Sequence, residues 1–244
     1  MIRLDAATVL LQWSTGGLLF LWMTNRHRVV GPGYGWLLRG VFGAVAAGAA
    51  LTGGLLRPIP VRETAAALVA LWCVVTIFHR ARRPVFDLVG PAIGAVGLVA
   101  ASIDTGGPVA LALARTLVGA VFLGAISDAM LLGHWYLVQP GLPRTYLVEL
   151  VKWLTVVWPF EVAVMLLPTG MISVFSGAVD DGWNGTLGWM WLACAVTTLG
   201  LVVVTRAALK ERSYSAVMAA TGLLYLAILT AFGTDLVARA VLAG

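Results

Sequence analysis

Charge is what this sequence has least of. Only 11% of its 244 residues are Asp, Glu, Lys or Arg, while 60% are hydrophobic and the mean hydropathy is +0.94. A soluble domain carries about twice that charged fraction. The economical reading is one integral membrane domain over residues 1–244. Cysteine is also scarce: Cys73 and Cys194 lie singly in apolar runs, with no CxxC and no Cys/His cluster. Zinc, iron–sulfur and c-type haem attachment therefore lack a ligand set. The two lysines, Lys152 near a helix end and Lys210 in a loop, leave no mid-helix amine for a retinal Schiff base. Three histidines exist, and His27 is in a loop, so only a His79/His134 pair could ligate a b-type haem from facing helices. The chain is expected to be haem-free. No P-loop, GxSxG or HExxH pattern occurs, so ATP hydrolysis and the common hydrolase chemistries lack support.

What is present is a series of apolar runs long enough to cross a bilayer. They predict eight helices at about 5–24, 35–56, 64–79, 85–103, 109–138, 145–168, 185–205 and 213–235. The fold class expected is all-α, a polytopic bundle of eight transmembrane helices. Loops after the odd-numbered helices hold nine basic residues: Arg26, Arg28, Arg80, Arg82, Arg83, Arg144, Arg206, Lys210 and Arg212. The opposite side holds four, Arg3, Arg57, Arg62 and Arg239. The positive-inside rule then puts the first set in the cytoplasm and both termini outside, with Arg57 and Arg62 as the exception to the alternation. Basic residues used this way orient a multi-pass protein of the cell membrane, so the expected partners are lipid and other membrane or peripheral subunits, and no nucleic acid.

Small residues four apart, Gly40/Ala44/Gly48 and Gly90/Gly94, are expected at close helix–helix contacts. Trp183, Trp189 and Trp191 read as an outer interfacial belt. The outer loop 169–185 is long for a connection and mixes Phe175 with Asp180 and Asp181, which reads as a solvated loop or a docking surface.

Ionisable groups inside spans are expensive and are where function is sought. In the fifth span Ala120, Gly124 and Asp128 share one face, and His134 lies near the inner end. The sixth runs back outward, with Glu149 and Lys152 three apart and able to pair, and Glu161 two residues after a kinking Pro159. Two groups are expected: a structural Arg115–Glu161 pair in the outer half, and an inner group of Asp128, His134, Glu149 and Lys152.

The last helix, TGLLYLAILTAFGTDLVARAVL, resembles the terminal helix of membrane anchor subunits of polysulfide and dimethyl-sulfoxide reductases. The shared features are a small/aromatic stripe around Tyr225 and an acid four before an arginine, Asp235 and Arg239, and the resemblance covers residues 221–242 only. It implies a mostly haem-free subunit exchanging electrons and protons with a quinone. On that reading His134, Tyr136 and Lys152 bind the quinone, and Asp128 and Glu149 relay protons. The alternatives are a secondary transporter or proton-coupled channel using the same carboxylates, and a structural accessory subunit.

Overall fold

The computed structural model describes residues 4–77, 84–105, 107–167 and 170–242. Among them every regular element is helical: α1 (Ala6–Asn25), α2 (Pro32–Leu56), α3 (Pro60–Ile77), a 3₁₀ turn (Pro84–Leu88) running into α4 (Val89–Ile103), α5 (Val109–Trp135), α6 (Thr145–Leu166), a short α7 (Met171–Phe175), α8 (Thr186–Ala208) and α9 (Tyr214–Leu242). Seven of these segments are long and apolar enough to cross a membrane. The eighth long helix, α6, has 22 residues but carries Glu149, Lys152 and Glu161, which makes it the most charged of the set. The expected count of eight thus becomes seven on length and composition, with α6 of comparable length among them.

The boundaries shift for local reasons. α3 starts at Pro60, before the expected 64, because proline has the right φ for a first turn and the Ile59 amide donates to Glu63 Oε2 at 2.7 Å. α5 stops at Trp135, short of 138, where the Leu137 and Val138 amides turn back to His134 and Trp135. α9 runs on to Leu242, seven residues beyond 235. His79, Arg80, Arg82 and Arg83 lie outside the described residues, as does Arg3.

α1 is the central post. In its apolar window 72% of residues are buried, against 28–44% for the six others that qualify as spans. It packs on α2, α4 and α5. Gly16 makes the closest approach: a Cβ there would overlap the Ala120 carbonyl, and one at Gly124 would overlap the Gly16 backbone. Small residues let two membrane helices meet backbone to backbone, which gains dispersion where burial from lipid supplies no drive. The expected Gly40/Ala44/Gly48 stripe is not such a contact: Gly40 and Ala44 are exposed, and Gly43 is the glycine of α2 that meets Cys73. The buried face of α2 is Phe42, Gly43, Ala46, Ala49 and Gly53. Gly90 and Gly94 do make close contacts, against Leu18 and Trp72 and against Thr15.

Polar bonds join helix ends in two separate sets. At one end Arg26 pairs with Glu149 (2.6 Å), Arg39 with Asp87 (2.7 Å), and Gln139 receives the Gly31 amide (2.9 Å). At the other, Arg57 pairs with Asp104 (2.8 Å), and Arg62, only 1% exposed, holds Asp5 (2.6 Å) and Glu63 (2.7 Å) and donates to the Thr8 hydroxyl and the Arg57 carbonyl. The two arginines that break the charge alternation are therefore both paired with acids at that same end.

A methyl at Gly16 meets backbone, which no rotamer change relieves. Gly16→Ala is expected to cost at least about 1–3 kcal/mol, read as a lowered unfolding midpoint in detergent micelles. Gly54→Ala, where a Cβ meets nothing within 4 Å, should unfold like the wild type.

Candidate functional site

Two clusters of buried polar groups lie on either side of the Gly16–Gly124 contact. The first, on the side that the basic-residue asymmetry would place outside, joins four helices. Asp235 of α9 is fully buried and receives both Arg239 Nε (2.8 Å to each oxygen) and Gln12 Nε2 of α1 (3.1 Å). Arg239 Nη2 donates onward to the Arg115 carbonyl of α5 at 2.7 Å. Gly119 makes room for this: a Cβ there would lie 2.5–2.7 Å from Gln12 Nε2, Asp235 Oδ1 and Arg239 Nη2. Glu161 of α6 completes the group. It is fully buried, interacts electrostatically with Asp235 and Arg239, and neither of its carboxyl oxygens has a hydrogen-bond partner. Gln12 Oε1 is likewise buried and unsatisfied.

The expected Arg115–Glu161 ion pair is not formed. Arg115 turns along α6 and donates to the Val164 carbonyl (2.8 Å) and, more weakly, to that of Leu167 (3.5 Å). Those carbonyls belong to the last turn of α6, where backbone oxygens lack helical partners and attract a cation. Helix 9 supplies the guanidinium that faces Glu161. The outer cluster thus holds two carboxyls, Glu161 and Asp235, around one ion-paired arginine, Arg239.

The inner cluster centres on Asp128, fully buried, with both carboxyl oxygens lacking a hydrogen-bond partner. The Tyr34 hydroxyl of α2 approaches it and donates to the Asp128 carbonyl at 3.3 Å. The preceding Ser127 receives Trp13 Nε1 of α1 at 2.8 Å. The rest of the expected inner group is dispersed. Glu149 is taken by Arg26 instead of Lys152, which is exposed; the short helix end lets the α1–α2 loop reach it. His134 Nδ1 pairs with the Tyr225 hydroxyl at 3.1 Å, on exposed surface between α5 and α9. Tyr136 is buried and its hydroxyl donates to the Pro143 carbonyl at 2.8 Å, so it ties down the α5–α6 turn and presents no head-group contact. Among the described residues no three His, Cys, Asp or Glu converge as a metal site.

Sequence reasoning found Asp128 and Glu161 and missed Gln12, Tyr34 and Gly119. It noted the Asp235–Arg239 pairing only through the resemblance, although an acid–arginine i, i+4 pair inside an apolar helix was a signal in itself. No protein-family model, curated protein or solved structure matches the chain.

The two kinds of ion pair should separate in stability. Arg239→Gln leaves Asp235 buried without its cation and is expected to cost about 3–5 kcal/mol, with Asp235→Asn/Arg239→Gln recovering part of the loss. Glu149→Gln breaks a pair whose side chains are each 34% exposed and should cost no more than about 1 kcal/mol. Chemical denaturation in one micelle system gives both values.

Proposed function

We propose that this chain is an eight-span protein of the cell membrane, with both termini outside, that moves protons through its interior by way of Glu161 and Asp235. One observation carries the reading: Glu161 is wholly buried, without a hydrogen-bond partner, beside an aspartate already paired with the local arginine. The two carboxyls are one ion-pair partner short, since Arg239 is the cation that interacts with both and the neighbouring Arg115 turns its guanidinium to the α6 carbonyls. In an apolar interior that deficit is too expensive to leave, and a proton shared by the carboxyl pair is the smallest way to fill it. A carboxyl that must gain a proton to be stable, and can lose it when an opening lets water in, is the working part of a proton-coupled transporter or channel.

Eight spans follow if α6 crosses with its neighbours. In support, Glu149 is tied to the α1–α2 loop at one end of the bundle and Val164 to Arg115 toward the other. The orientation rests on the nine-to-four basic asymmetry. Its exceptions, Arg57 and Arg62, are matched by Asp104, Asp5 and Glu63. Asp128, with Tyr34 beside it, is the inner station for the same proton.

A second reading, a haem-free subunit of a redox complex that meets a quinone, is favoured by the His134–Tyr225 pair. Two hydrogen-bonding groups on an exposed helix surface suit a head group arriving from lipid better than the buried Tyr136 does.

Purified protein in liposomes with a trapped pH dye, driven by a potassium diffusion potential, distinguishes these. The wild type should take up protons faster than protein-free vesicles, and Glu161→Gln should be slower by at least about tenfold. Asp128→Asn should also slow uptake, while Glu149→Gln should match the wild type. A wild type no faster than empty vesicles, or a Glu161→Gln variant as fast as the wild type, overturns the proton reading.

A further inference from the structure

The segment between α6 and α8, with the start of α8, borders an open cavity of about 660 Å³, lined among others by Val174, Phe175, Asp180, Asp181, Asn184 and Trp189. That volume is within the range of small-molecule sites, about 300–1,000 Å³. Its chemistry is one-sided. Two aspartates line it, and no lysine, arginine or histidine does. The rings of Phe175 and Trp189 meet edge to face, 5.7 Å between centroids and 70° between planes, and form an aromatic corner. Trp189 is 66% exposed and Phe175 39%, so both rings are open to a ligand.

The two aspartates have different jobs. Asp181 is buried, and its carboxylate accepts the amides of Trp183 (2.9 Å), Gly185 (2.8 Å) and Leu187 (2.9 Å) at the start of α8. Burial alone would raise its pKa, but the amide bonds outweigh burial and hold it below the usual carboxylate range. It stays charged, and both of its oxygens are engaged by backbone amides. Asp180 is exposed and accepts only the Gly182 amide through Oδ1 (2.8 Å), which leaves Oδ2 to a ligand. Trp191, placed by its number with the outer tryptophan belt, is instead 1% exposed beneath this segment, packed with Met165, Met171 and Val174. The cavity itself has apolar lining from Val174, Val179 and Leu192, an aromatic wall and a negative rim.

We propose that this outer cavity binds an organic cation, a positively charged nitrogen on an apolar body, with the nitrogen between Asp180 and the Phe175–Trp189 corner. Aromatic faces attract cations through the ring quadrupole, and a quaternary ammonium, which needs no hydrogen-bond acceptor, gains most from such a wall. An anion is repelled by both aspartates. Binding here does not require the buried carboxyls, so the site stands or falls separately from proton movement.

Benzyltrimethylammonium and benzenesulfonate are suitable probes, titrated by calorimetry into the full chain in nanodiscs, with empty nanodiscs subtracted. The cation should bind saturably and the sulfonate should not. Asp180→Asn and Trp189→Leu should each weaken the cation by about 2- to 30-fold, while Trp189→Phe retains most of the affinity. Added salt should weaken binding to the wild type more than to Asp180→Asn. Circular dichroism and an unchanged unfolding midpoint check that each variant is folded. Absence of saturable cation binding by the wild type, equal binding of the two probes, or wild-type affinity in both folded Asp180→Asn and Trp189→Leu overturns the proposal.

Discussion

The backbone contact between Gly16 and the Ala120–Gly124 stretch sets the spacing on which the interior depends. It brings α1 and α5 together with no side chain between them. One turn before Gly16 on α1 lies Gln12, which reaches Asp235, and one turn after Gly124 on α5 lies Asp128, approached by Tyr34. The same contact thus holds the two polar clusters at fixed height and separates them by a tightly packed neck. A wider crossing would admit lipid or water beside the carboxyls and remove the reason for their pairing. Phe42 against Gly17 and Thr15 against Gly94 extend the tight packing to α2 and α4, so α1 is clasped on three sides.

Within that frame the electrostatics are arranged by helix ends as much as by ion pairs. Arg115 satisfies the terminal carbonyls of α6 and so stands away from Glu161, while Arg239 is fixed by Asp235 from its own helix and by the Arg115 carbonyl. A guanidinium has five donors in a planar fork, and both arginines use theirs on separate acceptors. Neither is left to neutralise Glu161 fully. The imbalance is local and does not depend on the bundle's surface charge, which is dominated by exposed or paired arginines at the two ends.

Much of the fold was legible because a bilayer allows few solutions: apolar runs of span length must be helices, and most of their ends came out within a few residues, the end of α9 excepted. The heights of ionisable groups were legible too, since a helix rises by a fixed step. Arg115, which reaches the Val164 carbonyl, does lie toward the Glu161 end of α6, and Asp128 lies on the other side of the Gly16–Gly124 contact. What the sequence could not convey is rotation and neighbourhood. Small residues mark both lipid-facing and packed surfaces, so Gly40 and Ala44 read like a contact while Gly16 did not stand out. Pairing was inferred between chain neighbours α5 and α6, yet α9, which begins 48 residues after α6 ends, supplies the partners of Glu161, His134 and Gln12. Neutral residues such as Gln12 and Tyr34 carry no charge to draw attention, and they become important only once a carboxylate is beside them.

The arginine clamp at Arg62 has a consequence for how the protein is made. Its partners, Asp5, Thr8, Arg57 and Glu63, all lie within the first 63 residues. On a ribosome the clamp can close once the start of α3 has emerged, before any of α4 to α9 has emerged. Helices α1 to α3 would then form an early assembled unit, already presenting Gly16 and Gln12 as a template on which α5 and later α9 dock. Because α9 follows α1, α5 and α6 in the chain, Asp235 and Arg239 reach Gln12 and Glu161 only once those helices have been made.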